Sequence, residues 1–167
     1  DKLGYIPPIF SYPFGEYSLF MKNYISKNFK LAFGQHSGII DINKDKFELP
    51  RFPINEKYGE LKRFKSIINY FPLEYKKIFP EEKQLFKDTN PPRFKVDFFK
   101  EQKNLENINC YSNEGDIWEK SKTKFLNNSL TIEFREPFKP RRGRINCSLN
   151  DNGKWRWFGI QFPIKEN

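Results

Sequence analysis

The stretch RINCSLNDNGKWRWFGIQF, residues 144–162, settles the architecture of the second half of this 167-residue chain. Asp151-Asn152-Gly153 lies between two strand-like runs, 144–149 and 155–162, and is a strong short-range signal for a hairpin. Side chains alternate across a strand, so Trp155 and Trp157 share one face while Arg156 and Phe158 share the other. One pair lines the core and the other stands exposed; exposed tryptophan rings would form a platform with an apolar body and a wet edge. Working upstream, strand-like runs recur at 93–99, 108–111 and 124–134, with turn residues between them and no convincing helix. Regularly spaced strands with short polar links predict a small β-sandwich over 91–167.

The first half has a different grammar. A charged segment, 81–90, leads to Asn90-Pro91-Pro92 and reads as a linker after a unit covering 1–80. Ile9 to Phe14 reads as a short strand closed by Pro13 and Gly15. Ser18 is the expected N-cap of a helix carrying Phe20, Met21, Tyr24 and Ile25 at helical spacing. Leu31-Ala32-Phe33 predicts a buried strand ending at Gly34, and 47–54 a further strand interrupted by Pro50 and Pro53. Leu61, Phe64, Ile67, Ile68 and Phe71 mark one face of a second helix stopped by Pro72. This is an α/β arrangement with too few strands to close a sheet alone. The fold class is therefore α/β plus all-β.

The chain is polar overall but holds 19 Phe, 8 Tyr and 3 Trp. Each buried Phe contributes about 1.5–3 kcal/mol, enough aromatic surface to build a core. No run of about 18 apolar residues exists, so no transmembrane segment is expected. The formal charge of +9 is scattered, with one tight cluster at Lys139, Arg141, Arg142 and Arg144. It reads either as a solvated surface or as a surface for an anionic partner. A nucleic-acid partner would rest on net charge alone, and none is expected. One histidine and two cysteines offer no metal-ligand spacing, so no metal ligands are assigned. Cys110 and Cys147 each sit in an Ile-Asn-Cys triplet, paired or as buried free thiols. Asn127-Asn128-Ser129 and Asn146-Cys147-Ser148 match the N-glycosylation pattern, which is common by chance.

Tyr12-Pro13-Phe14-Gly15-Glu16-Tyr17, Ala32-Phe33-Gly34-Gln35-His36-Ser37-Gly38 and Leu49-Pro50-Arg51-Phe52 follow one another in an order and spacing that resemble one family. That family is the NodB-homology polysaccharide deacetylases, in their poly-N-acetylglucosamine deacetylase-like form. Asn90-Pro91-Pro92-Arg93, the two Ile-Asn-Cys triplets and Trp155-Arg156-Trp157-Phe158-Gly159 look like a β-domain appended in some bacterial members. The resemblance implies that 1–80 is the C-terminal part of a deacetylase β/α barrel and that Cys110 and Cys147 form a disulfide. It also implies an extracytoplasmic bacterial enzyme, periplasmic or secreted, hydrolysing N-acetyl groups of an N-acetylated polysaccharide.

In that family a divalent, zinc-like metal polarises the amide and activates water. Its paired-Asp and His-x-x-x-His motifs belong upstream of Tyr12 and are not in this sequence. The resemblance thus describes a fragment, inactive alone, whose partner is the missing N-terminal half of the barrel. Removing that half leaves an unpaired strand edge and an apolar face. The resemblance makes the Phe14 N–H the oxyanion donor, because Pro13 has none, and places Tyr12 and Pro13 against substrate. Arg51 orients the catalytic carboxylate or pairs with an acid at a strand end. His36 protonates the leaving amine or is a polar turn residue. Trp155 and Trp157 grip sugar or pack the core. The rival class is a non-catalytic carbohydrate-binding β-sandwich.

Overall fold

The computed structural model describes residues 4–139 and 141–165, so the outer ends of both expected units lie outside the described residues. In chain order the elements are β1 (Ile9–Ser11), α1 (Leu19–Asn28), β2 (Leu31–Phe33), α2 (Leu61–Ile67), β3 (Phe71–Pro72), β4 (Lys77–Phe79) and β5 (Lys95–Asp97). They continue with β6 (Asn109–Ser112), β7 (Glu119–Lys120), β8 (Lys122–Leu126), β9 (Ser129–Glu133), β10 (Arg142–Asp151) and β11 (Lys154–Pro163). The protein is mostly β-sheet, with two α-helices among the described residues.

Two sheets make the larger body, ordered β3-β11-β10-β6-β7 and β4-β5-β9-β8. All their pairings are antiparallel except β11 with β3. The β10–β11 hairpin turns at Asn152 and Gly153, both with positive φ (51° and 85°), as a two-residue hairpin loop needs. Along β10 every second residue, Gly143, Ile145, Cys147 and Leu149, is buried. The side chains of Ile145, Cys147 and Leu149 join Phe158 and Phe162 of one sheet and Val96 and Leu130 of the other in a single buried cluster. One core drawn from faces of two sheets is consistent with the packing of a sandwich. Cys110 and Cys147 stand directly opposite each other in the β6–β10 register and are joined by a disulfide.

The smaller body has a core of its own, Tyr12, Tyr17, Ile25 and Ala32. β1 and β2 pair in parallel through the α1 crossover, and Leu49 adds a parallel bridge to Phe33. Ser18 caps α1, its Oγ accepting from the Met21 N–H at 3.2 Å. The Glu82 carboxylate accepts from the Leu19 N–H, placing a negative charge at the positive end of the helix. Glycine at 159 lets the two bodies meet. A Cβ there would stand 2.1 Å from the Ser37 carbonyl oxygen and 2.6 Å from Asn146 Oδ1, so the 34–38 turn lies on the outer face of β10 and β11.

Several expectations change. Residues 47–54 form only the Leu49 bridge, because Pro50 and Pro53 cannot donate to a ladder. The second helix stops at Ile67, and Phe71–Pro72 becomes a strand beside β11. The run 124–134 is not one strand but the β8–β9 hairpin, turning at Asn127 and Asn128 with φ of 49° and 60°. On α1 only Ile25 is buried; Phe20, Met21 and Tyr24 are exposed. Residues 81–90 are not a loose link, since Lys83 and Leu85 are buried and Leu85 bridges to Ile164. β3 and β4, from before residue 80, are strands of the two large sheets.

Candidate functional site

The strand β1 runs into Pro13–Gly15, a tight turn in which Phe14 adopts φ 56°, ψ 9°. That left-handed conformation is uncommon for a residue with a side chain and is held by surrounding contacts. Those contacts come from the larger, two-sheet body. Gln161 on β11 donates from Nε2 to the carbonyls of Phe14 (3.2 Å) and Gly15 (3.3 Å), and Arg142 donates to the Phe14 carbonyl at 3.4 Å. The Arg141 guanidinium lies 4.0 Å from the Phe14 ring centroid. Arg141 and Arg142 both pair with Glu16, at 2.8 and 3.1 Å. Two members of the basic cluster therefore brace this turn. With its carbonyl engaged, Phe14 keeps an N–H that has no acceptor among the described residues. Tyr12 is buried, its hydroxyl donating to the Phe47 carbonyl, so it supports the turn from beneath and offers no face to a ligand.

His36 and Arg51 come from the ends of the next two parallel segments and meet at the backbone, where the Arg51 N–H donates to the His36 carbonyl at 3.1 Å. Arg51 Nε also donates to the Gly34 carbonyl at 3.1 Å, leaving the rest of an exposed guanidinium unengaged. Of the two sequence readings for Arg51, pairing with a carboxylate finds no partner within ion-pair distance among the described residues.

His36 is buried, and its pKa is pushed down to about 4 by burial. Glu48 opposes that shift, and the Lys83 ammonium adds to it. At neutral pH His36 is uncharged and has no proton to give a leaving amine, which favours the turn reading. Because the folded value lies below the unfolded value of about 6.5, this residue's contribution to stability is complete above that value. It is lost as pH falls towards 4. Imidazole proton shifts followed by NMR should stay at the neutral position down to about pH 5. A midpoint near the unperturbed value would place His36 in contact with water.

Arg51, Tyr70, Trp118, Arg144, Asn146 and Trp157 line one cleft between the two bodies. Trp157 and Trp155 lie on the outer face of β11, as alternation requires, with Phe158 in the core. Trp157 stacks on Tyr70 (6.1 Å, 4° between planes) and meets Phe52 edge-on at 6.0 Å. Trp155 is exposed at the far end of the hairpin and does not line this cleft. Trp118, 47% exposed, and Tyr70 were not singled out from sequence. An exposed tryptophan in a polar segment was the available signal for Trp118. Gln161 gave none, because its role exists only once β11 lies beside the Phe14 turn.

Among the described residues no three His, Cys, Asp or Glu side chains converge to hold a metal ion. No metal ligands are assigned to the described residues, and no step through a metal is derived for them. No described helix is long and apolar enough to cross a membrane. No protein-family model, curated protein or solved structure matches the chain.

Proposed function

We propose that this chain is the C-terminal part of a bacterial, extracytoplasmic polysaccharide deacetylase, the trailing segment of a β/α barrel with an appended β-sandwich. Its substrate is an N-acetylated sugar polymer, and its own share of the reaction is oxyanion binding and charge placement. The observation that carries this reading is the Phe14 peptide. It follows a parallel strand, sits in a left-handed conformation fixed by Gln161 and Arg142, and presents an N–H without an acceptor among the described residues. A fixed donor of this kind stabilises the tetrahedral oxyanion of amide hydrolysis. Arg51, one hydrogen bond from the Gly34 carbonyl, supplies positive charge for a catalytic carboxylate carried by the missing half.

Two surfaces of the smaller body support a missing half as the partner. Among the described residues β1 is paired on one side only, to β2. Ile9, Phe20 and Tyr24 are 52%, 81% and 62% exposed. An open strand edge and exposed aromatic side chains are surfaces that a further strand and helix of a barrel would cover. The disulfide supports an oxidising compartment.

The test is acetate release from N-acetylglucosamine oligomers. The chain joined to the segment that its gene encodes upstream should release acetate and lose that activity on chelation. The chain alone should release none. A joined protein that binds the oligomers without releasing acetate would move the non-catalytic sugar-binding reading to first place. That second reading is favoured by one observation of its own, the cleft carrying Trp118, Tyr70 and Trp157.

A further inference from the structure

The geometry points to an anionic saccharide as the occupant of the cleft between the two bodies, a chain of sugar rings bearing carboxylate groups. This deepens the polysaccharide reading above and rests on it. Three arginines, Arg51, Arg63 and Arg144, line the cleft, and no Asp or Glu is among its described lining residues. For a chain with 21 acidic residues, a lining free of carboxylates makes this a local field of one sign. Arg63 is occupied internally, donating to the Pro53 and Tyr58 carbonyls and lying over the Phe52 and Tyr58 rings. The other two are available to a ligand. Arg51 makes one side-chain hydrogen bond, and Arg144 makes no ion pair among the described residues. Arg144 is half-buried on β10, and its charge is destabilised first by burial and then by Arg142 beside it. An anion placed there would relieve both costs.

The apolar part of the lining fits a sugar ring. Trp157, Tyr70 and Phe52 form one aromatic wall, and Trp118 adds an exposed ring. Pyranose faces pack on such surfaces through their C–H groups, while hydroxyls reach amides such as that of Asn146. Guanidinium groups are suited to carboxylates because their N–H fork matches the two oxygens. Aromatic rings with arginines also suit single-stranded nucleic acid. The disulfide favours saccharide, since it belongs to compartments where exported glycans are met.

The experiment compares binding of three probes to the whole chain by calorimetry: an oligomer of uronic acid, a neutral N-acetylglucosamine oligomer of equal length, and a single-stranded oligonucleotide of equal charge. The uronate oligomer should bind about tenfold more tightly than the neutral one, with a preference that shrinks as salt is raised. Arg144→Gln should reduce that preference by about three- to tenfold, with Arg144→Lys retaining more of it than Gln. Arg51→Gln, at an exposed position, is the second variant, and unchanged melting temperatures show that both still fold. Equal affinity for acidic and neutral oligomers overturns the proposal. So does tighter binding of the oligonucleotide, or a preference untouched in both folded variants. Acetate release by the joined protein without acidic preference would sink this inference alone, whereas preference without release would sink only the deacetylase reading.

Discussion

Breaking the Cys110–Cys147 disulfide should lower the stability of this protein by about 4 kcal/mol and its melting temperature by about 10 °C. The two cysteines are 37 residues apart, and the bridge shortens the unfolded chain by a loop of that length. Closing such a loop in the denatured ensemble removes entropy that the reduced chain retains. In the folded state both sulfurs lie in the core, on facing residues of β6 and β10, so the bond fastens the middle of the larger sheet. The measurement is urea unfolding of the oxidised chain, the chain held under reductant, and the Cys110→Ala/Cys147→Ala variant. The reduced chain should lose most of the effect, and the double variant slightly more because it also leaves a small cavity. Equal midpoints for oxidised and reduced chains would mean that the thiols simply pack side by side. The compartment argument would then lose its support.

The second large effect is expected at Arg135. Glu114 is 1% exposed, and its carboxylate accepts from the Ser112 hydroxyl, from the Arg135 backbone N–H at 3.0 Å and from Arg135 Nε at 2.8 Å. The same guanidinium also pairs with Glu119. Arg135→Ala leaves a buried carboxylate short of its main counter-charge; with the arginine itself 38% exposed, the cost falls below that of a fully buried pair, at about 2–3 kcal/mol. Glu114→Gln in the Arg135→Ala background should recover part of that loss, because a neutral amide no longer needs the cation.

The pH dependence follows from the same contacts. Burial alone would raise the Glu114 pKa, but hydrogen bonds from Ser112, the Arg135 backbone and the Arg135 side chain outweigh it and hold it below the ordinary value. A depressed folded pKa adds stability above the unfolded value, and this is lost as pH falls through the folded one. The Arg135→Ala cost should therefore shrink between about pH 7 and about pH 3. A cost equal at both ends would assign it to the packing of the arginine stem.

Local patterns were informative wherever neighbours in sequence are also neighbours in space. The β10–β11 hairpin was legible because Asn152-Gly153 supplies the positive φ values and the flanking runs have strand character. The start of α1 was legible because Ser18 satisfies the helix's own backbone. The Asn127-Asn128 turn carried the same chemistry, yet β-prone residues on both sides hid it inside a single expected run. β3, β4 and β7 have two or three residues each, too few for any periodicity. They are strands only because partners from elsewhere in the chain, β11, β5 and β6, lie beside them.

The sequence alone determined a strand-rich second half, an α/β first half, and the candidate residues Phe14, His36, Arg51 and Trp157. Tertiary structure decided what those residues face. Arg51, Trp118, Arg144 and Trp157 share a cleft only because Gly159 lets the 34–38 turn settle on β11. The Phe14 peptide is fixed by a glutamine 147 residues away. Turns, helix starts and long strands are set largely by near neighbours and can be read from a pattern. A site assembled from two packed bodies depends on which surfaces meet, and that is fixed by shape and burial across the whole chain.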